Sequence, residues 1–105
     1  MKESDWKIFK EIKEKAIKLF CSRALEEFNE IIKDKNSKPE EAYTLLYRIV
    51  INRDKQMSLL FDSHSRSKAT LQLLAIRGEN LADQELLKKL SSEFLEVTDP
   101  RKVSW

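Results

Sequence analysis

At 105 residues with a formal net charge of +2, the chain fits one domain that can hide roughly two thirds of its unfolded surface without staples. One glycine and two prolines exclude a strand-rich fold, which needs turn residues at short intervals, and 41% hydrophobic content excludes a disordered chain. The single cysteine, Cys21, excludes an intrachain disulfide and gives no sign of secretion.

Charged residues make up 36% of the chain, which suits a small helical bundle with solvated outer faces. The middle is mildly basic and the end mildly acidic, short of the basic excess of a dedicated nucleic-acid domain. Residues 1–20 alternate charge with apolar side chains, unlike a signal peptide. No apolar run is long enough to span a bilayer. A cytoplasmic location without membrane association is the expectation.

The first predicted helix starts at Ser4 as N-cap, with Asp5 in the first turn where negative charge suits the dipole. Nothing breaks it before Asn36, so it spans about 45 Å at 1.5 Å per residue. Glu3 with Lys7, Glu11 with Lys15 and Glu14 with Lys18 form i,i+4 pairs in the favourable order. Ile8, Phe9, Ile12, Ala16, Leu19 and Phe20 define one apolar side. Ile17, Phe20, Cys21, Ala24, Phe28, Ile31 and Ile32 define another, offset by about a third of a turn. Phe9, Phe20 and Ile31 recur every eleven residues, a spacing for a straight helix whose halves meet different neighbours. Trp6 falls at the rim or cap of the core.

Residues 33–39 form the first connection. Ser37 is the expected N-cap of the second helix, with Pro39 in its first turn and Glu40 completing a capping box. That helix carries Ala42, Tyr43, Leu45, Leu46, Ile49, Val50, Met57, Leu60 and Phe61. Its apolar rhythm continues to Leu71 and Leu74, but the same spacing lands on Arg53, His64 and Ser67. Residues 62–67 hold three serines and an aspartate, which favour caps and turns over helix interior. A short break is expected there, with Asp62 or Ser63 ending one helix and capping the next.

The third helix, residues 67–77, is apolar nearly all round, as in a buried or interfacial helix. It is expected to contribute the most buried surface, with Gly78 as its C′ residue. Asp83 caps a shorter helix with Leu86, Leu87, Leu90 and Phe94 on one face. The fold class is therefore all-α: a small antiparallel bundle of about four helices with a long first helix. Residues 1–97 form the domain, and residues 98–105, ending at Trp105, read as a loose tail.

Function is less legible. On a continuous helix Arg53 and His64 fall within the apolar face, where a charge is costly unless it is paired or reaches solvent. Arg53 then snorkels, pairs with an acid from the first helix, or lines a polar pocket for an anion or acidic side chain. If the second and third helices are antiparallel, Arg53, Asp54, Asp62, His64, Arg66 and Ser67 gather at a hairpin tip and form a candidate partner or anion contact. Arg48, Lys55, Arg66 and Arg77 align on one continuous helix as a possible phosphate-tracking line.

One histidine and one cysteine do not make a zinc site or an obvious nucleophile–base set, and Cys21 reads as a small core residue. A single glycine allows no phosphate loop. Glu26, Glu27, Glu40 and Glu41 are explained by solvation and helix dipoles. No metal, cofactor or catalytic residue is expected. The leading expectation is a non-enzymatic module that binds another protein or, through uncovered length of the first helix, a second copy of itself. The alternatives are a nucleic-acid binder using the basic line and a small ligand-binding protein with a polar pocket near Arg53 and His64.

Overall fold

The computed structural model describes residues 1–102. Five helices follow in order: α1 (Glu3–Lys33), α2 (Pro39–Phe61), α3 (Arg66–Gly78), α4 (Gln84–Leu87) and α5 (Ser92–Val97), then a 3-10 turn, Pro100–Lys102. The fold is an all-α bundle with a long first helix, and no strand occurs among the described residues. No described helix is long and apolar enough to cross a membrane.

Helices α1 and α2 form an antiparallel hairpin, as two cross-contacts show: Phe20 meets Phe61 edge-on at 5.9 Å, and Glu27 meets Arg53 at 2.6 Å. The other helices gather at one end of this hairpin. Phe9, Ile12 and Ala16 of α1 pack there with Leu60, Phe61, Leu73, Ile76, Leu87 and Phe94. Beyond this base the hairpin continues as an arm, and the molecule measures 53 × 26 × 24 Å. In α2 the buried residues are Leu60 and Phe61, both in its last turn. The two halves of α1 do meet different neighbours. Its first half contacts α3–α5 through Lys13–Gln72 and Asp5–Ser91, and its second half contacts α2.

The break between α2 and α3 is present. Helix α2 ends at Phe61 with Asp62 as its C-cap, as expected, and α3 begins at Arg66 with Ser65, rather than Asp62 or Ser63, as N-cap. The predicted caps of α1 and α2 also shift. Lys2 and Lys38 occupy the N-cap positions without a side-chain cap bond. Ser37 is diverted: its hydroxyl donates to Asp34 at 3.0 Å, and the same carboxylate accepts the Asn36 N–H at 2.9 Å. This local aspartate turn competes with the helix and ends α1 at Lys33 instead of Asn36.

Gly78 is not the left-handed residue after α3. It closes the helix, and Asn80 takes that role with φ 57°. The Asn80 N–H reaches the Arg77 carbonyl and the Leu81 N–H reaches the Ile76 carbonyl, the paired bonds of a Schellman ending. Leu81 and Ile76, which those bonds bring together, both belong to the core. Helix α3 is buried along one side, through Ala69, Gln72, Leu73 and Ile76, while Leu71 is 66% exposed. Its apolar circumference therefore exceeds what the base covers, and α1 contributes at least as many buried positions.

Asp83 caps α4 as expected, accepting the Leu86 N–H at 3.0 Å. The predicted last helix is split, because Ser91 starts a new helix by accepting the Phe94 N–H at 3.2 Å. The segment expected to be a loose tail begins with the fully buried Thr98, whose hydroxyl donates to the Phe94 carbonyl at 2.7 Å. Asp99 is buried beside it, and Pro100–Lys102 packs against α3. Residues 103–105 of that tail lie outside the described residues.

Candidate functional site

The predicted polar residues do not form one patch. Arg53 makes a bidentate pair with Glu27, Nε to Oε1 at 2.9 Å and Nη2 to Oε2 at 2.6 Å, and also donates to Gln56 at 3.1 Å. The hydrogen bonds from Arg53 hold the Glu27 carboxyl below its ordinary range and raise the guanidinium in turn. The pair belongs to the arm. Arg66 instead pairs with Glu3 at 2.6 Å and lies over the Trp6 ring at 5.4 Å. Glu3 and Glu27 are about 36 Å apart along α1 at 1.5 Å per residue, so Arg53 and Arg66 serve opposite ends of that helix. Asp54 and Asp62 are exposed, and Ser67 shares a hydrogen bond with Ser65 at 3.1 Å. The expected gathering of these residues at a hairpin tip is corrected: the break turns α3 back onto the first half of α1.

The basic line meets the same break. Arg48 and Lys55 lie on α2 while Arg66 and Arg77 lie on α3. Arg77 is engaged within the base, donating to the Leu95 carbonyl at 2.7 Å and the Thr98 hydroxyl at 2.9 Å. Arg53 lines a cleft of about 480 Å³ with Phe20, Arg23, Glu27, Gln56 and Leu59. His64 is not part of that cleft. It is exposed at the break, with Nδ1 3.4 Å from Lys13 Nζ.

Lys13 is the polar residue that the spacing conceals. It follows Phe9 by four and precedes Ala16 by three and Phe20 by seven, which sets it within the apolar face. It is 2% exposed. Its ammonium donates to the Ser63 carbonyl at 2.5 Å and to Gln72 Oε1 at 3.5 Å, and Gln72 Nε2 donates to the same carbonyl at 2.7 Å. The two side chains thus satisfy backbone that the end of α2 leaves without a helical partner. A positive charge there also suits the helix C-terminus.

Burial lowers the Lys13 pKa, and the nearby Asp62 charge opposes that shift. Between its folded pKa and 10.5 the unfolded chain binds more protons at this group, so its contribution to stability rises with pH across that window. Lys13→Met keeps the stem and leaves Gln72 on the Ser63 carbonyl. It is expected to lie within about 1 kcal/mol of the parent at neutral pH. Denaturant titrations at neutral and alkaline pH should show a smaller alkaline gain in the variant than in the parent.

The arm has a different character. Leu25, Phe28 and Ile32 follow one stripe of α1 at i, i+3 and i+7. Tyr43, Tyr47 and Val50 follow one stripe of α2 at i, i+4 and i+7. Leu25 is 64% exposed, Ile32 67%, Tyr43 75% and Tyr47 62%. Between the stripes runs a shallow groove of about 640 Å³, in which Glu26 alone is charged among Ser22, Leu25, Phe28, Asn29, Ile32, Leu46 and Val50.

No family model, curated protein or solved structure matches the chain.

A different side of the arm carries Arg23, Glu27 and Arg53, while Glu26 and Asn29 of the groove also border a hollow with Glu30 and Lys33. The arm thus has one apolar and aromatic face and another side that holds the Glu27–Arg53 ion pair. Adjacent apolar side chains exposed in this way mark contact surfaces more often than isolated ones do. The sequence did hold a signal for it. Tyr43, Leu46, Tyr47 and Val50 form a stripe at helical spacing, but spacing alone does not distinguish a stripe that meets its own core from one that does not.

Proposed function

We propose that the chain is a protein-interaction module: a folded helical base carries a two-helix arm, and the apolar face of the arm is the contact surface. The observation that carries this reading is the exposure of Leu25, Ile32, Tyr43 and Tyr47 along one side of the arm. Aromatic residues are enriched at recognition surfaces because they bury large area at low entropic cost. The contact expected at Arg53, Asp62 and Arg66 gives way to this face, because Arg53 and Arg66 are already paired within the chain.

A photo-crosslinking amino acid at position 47 tests the reading in cells. Covalent protein adducts are expected from position 47 and far fewer from position 59, where Leu59 is 85% exposed but lines the cleft with Arg53 and Gln56 and not the apolar face of the arm. Equal yields from the two positions, or none from position 47, would contradict it.

A further inference from the structure

We infer that the partner on the arm's apolar face is a second copy of this chain, the two arms packing face to face about a two-fold axis into a four-helix bundle. This rests on the reading of the arm as a contact surface and names its occupant.

The first argument is architectural. Two helices side by side touch along one line and enclose no interior, and helical domains bury their apolar stripes by adding a further layer. From Pro39 to Leu59 no residue of α2 is buried. Facing a second hairpin supplies the missing layer and gives a bundle core of ordinary size. The spacing fits that partner. Leu25 to Ile32 and Tyr43 to Val50 are each one heptad, the repeat by which bundle helices interdigitate.

The second argument is charge. Around a two-fold axis a surface patch meets its own copy, so any charge near the axis faces a like charge. The six stripe residues are all uncharged, and Glu26 is the one charge lining the groove between the stripes. Such a face suits self-contact and offers an ionic partner almost nothing to pair with. The side that carries Arg23, Glu27 and Arg53, with its mixed charges, lacks this property.

The third argument is area. The exposed portions of the stripe residues amount to roughly 700 Å², close to the ~800 Å² per partner of a stable interface. A second arm offers the same area in return, which brings the pair to the size of a standard interface.

Sedimentation equilibrium of the full chain is the test. A dimer is expected at tens of micromolar concentration. Val50→Asp and Tyr47→Lys are each expected to weaken association about thirtyfold or more, as for a central contact residue, with helicity unchanged by circular dichroism. Leu59→Asp and Leu71→Asp, at exposed positions away from the face, are expected to leave the dimer intact. A parent protein that is monomeric at about 100 µM, well above the dissociation constant of a stable interface, overturns the inference. A dimer indifferent to both stripe substitutions overturns it equally. If the parent is monomeric but position 47 still forms adducts with other proteins in cells, the contact reading stands and only the identity of the partner fails.

Discussion

Asp5→Ala is expected to destabilise the protein by about 2–4 kcal/mol, the loss of charge-assisted hydrogen bonds inside the fold. Asp5 is 2% exposed. Its carboxylate accepts the Ser91 N–H at 2.8 Å and the Ser91 hydroxyl at 2.6 Å. That same hydroxyl oxygen accepts the Phe94 N–H to start α5. One carboxylate in the first turn of α1 therefore fixes the start of the last helix, 86 residues away. Alanine leaves the Ser91 donors without their partner and opens a path for water beneath Phe94. Asp5→Asn keeps one oxygen for the Ser91 N–H and is expected to recover part of the loss. Urea denaturation followed by far-ultraviolet circular dichroism measures both variants. A loss for the alanine variant well under 1 kcal/mol would mean that water replaces these contacts without cost.

The second large effect is a contrast between two leucines. Leu73→Ala is expected to cost about 2–5 kcal/mol, because the surrounding core only partly closes on the cavity. Leu59→Ala is expected to stay within about 0.5 kcal/mol. Leu73 is fully buried, whereas Leu59 is 85% exposed. The difference arises at the break. Helix α3 folds back onto Phe9, Ile12 and Ala16, so its inner side enters the base core. Helix α2 buries only Leu60 and Phe61 in that core, with Met57 packed against it. Paired denaturation curves at equal protein concentration give the comparison, and similar losses for the two variants would contradict the placement of α3 in the core.

Much of the fold was legible in the sequence because it depends on local chemistry. The scarcity of glycine and proline, the serine-rich break at residues 62–67 and the cap at Asp83 all act within a few residues of themselves. The reading failed where two local solutions competed. Ser37 was an apt N-cap, but Asp34 captured its hydroxyl and left Lys38 in that place. Gly78 was the natural left-handed residue, yet the Schellman bonds close around Asn80 two positions later. Ser91 divided the last helix because a distant carboxylate held it, and no local pattern reports a distant carboxylate.

The polar residues show the same limit. Pairing of Arg53 with an acid of the first helix was among the sequence expectations, and Glu27 supplies that acid. Its grouping with Arg66 required the second and third helices to meet alone, whereas α1 lies against both. Lys13 falls by its spacing within the apolar face of α1. Only the position of the break makes it the residue that covers the end of α2. The arm was concealed for the converse reason. Its tyrosines and aliphatic residues repeat as core residues do, and what distinguishes them is that, among the described residues, no third helix packs at that end of the hairpin.

Amide hydrogen exchange at two protein concentrations tests the central claim most directly. The base has its own core, so the exchange of α3 and of the first half of α1 is expected to be independent of concentration. The arm, residues 22–33 and 39–56, is expected to exchange quickly at about 1 µM and markedly more slowly at about 100 µM, as mass action fills its apolar face. Arm protection equal to that of the base at the lower concentration, unchanged at the higher, would show that the hairpin is stable without a partner and would contradict the account.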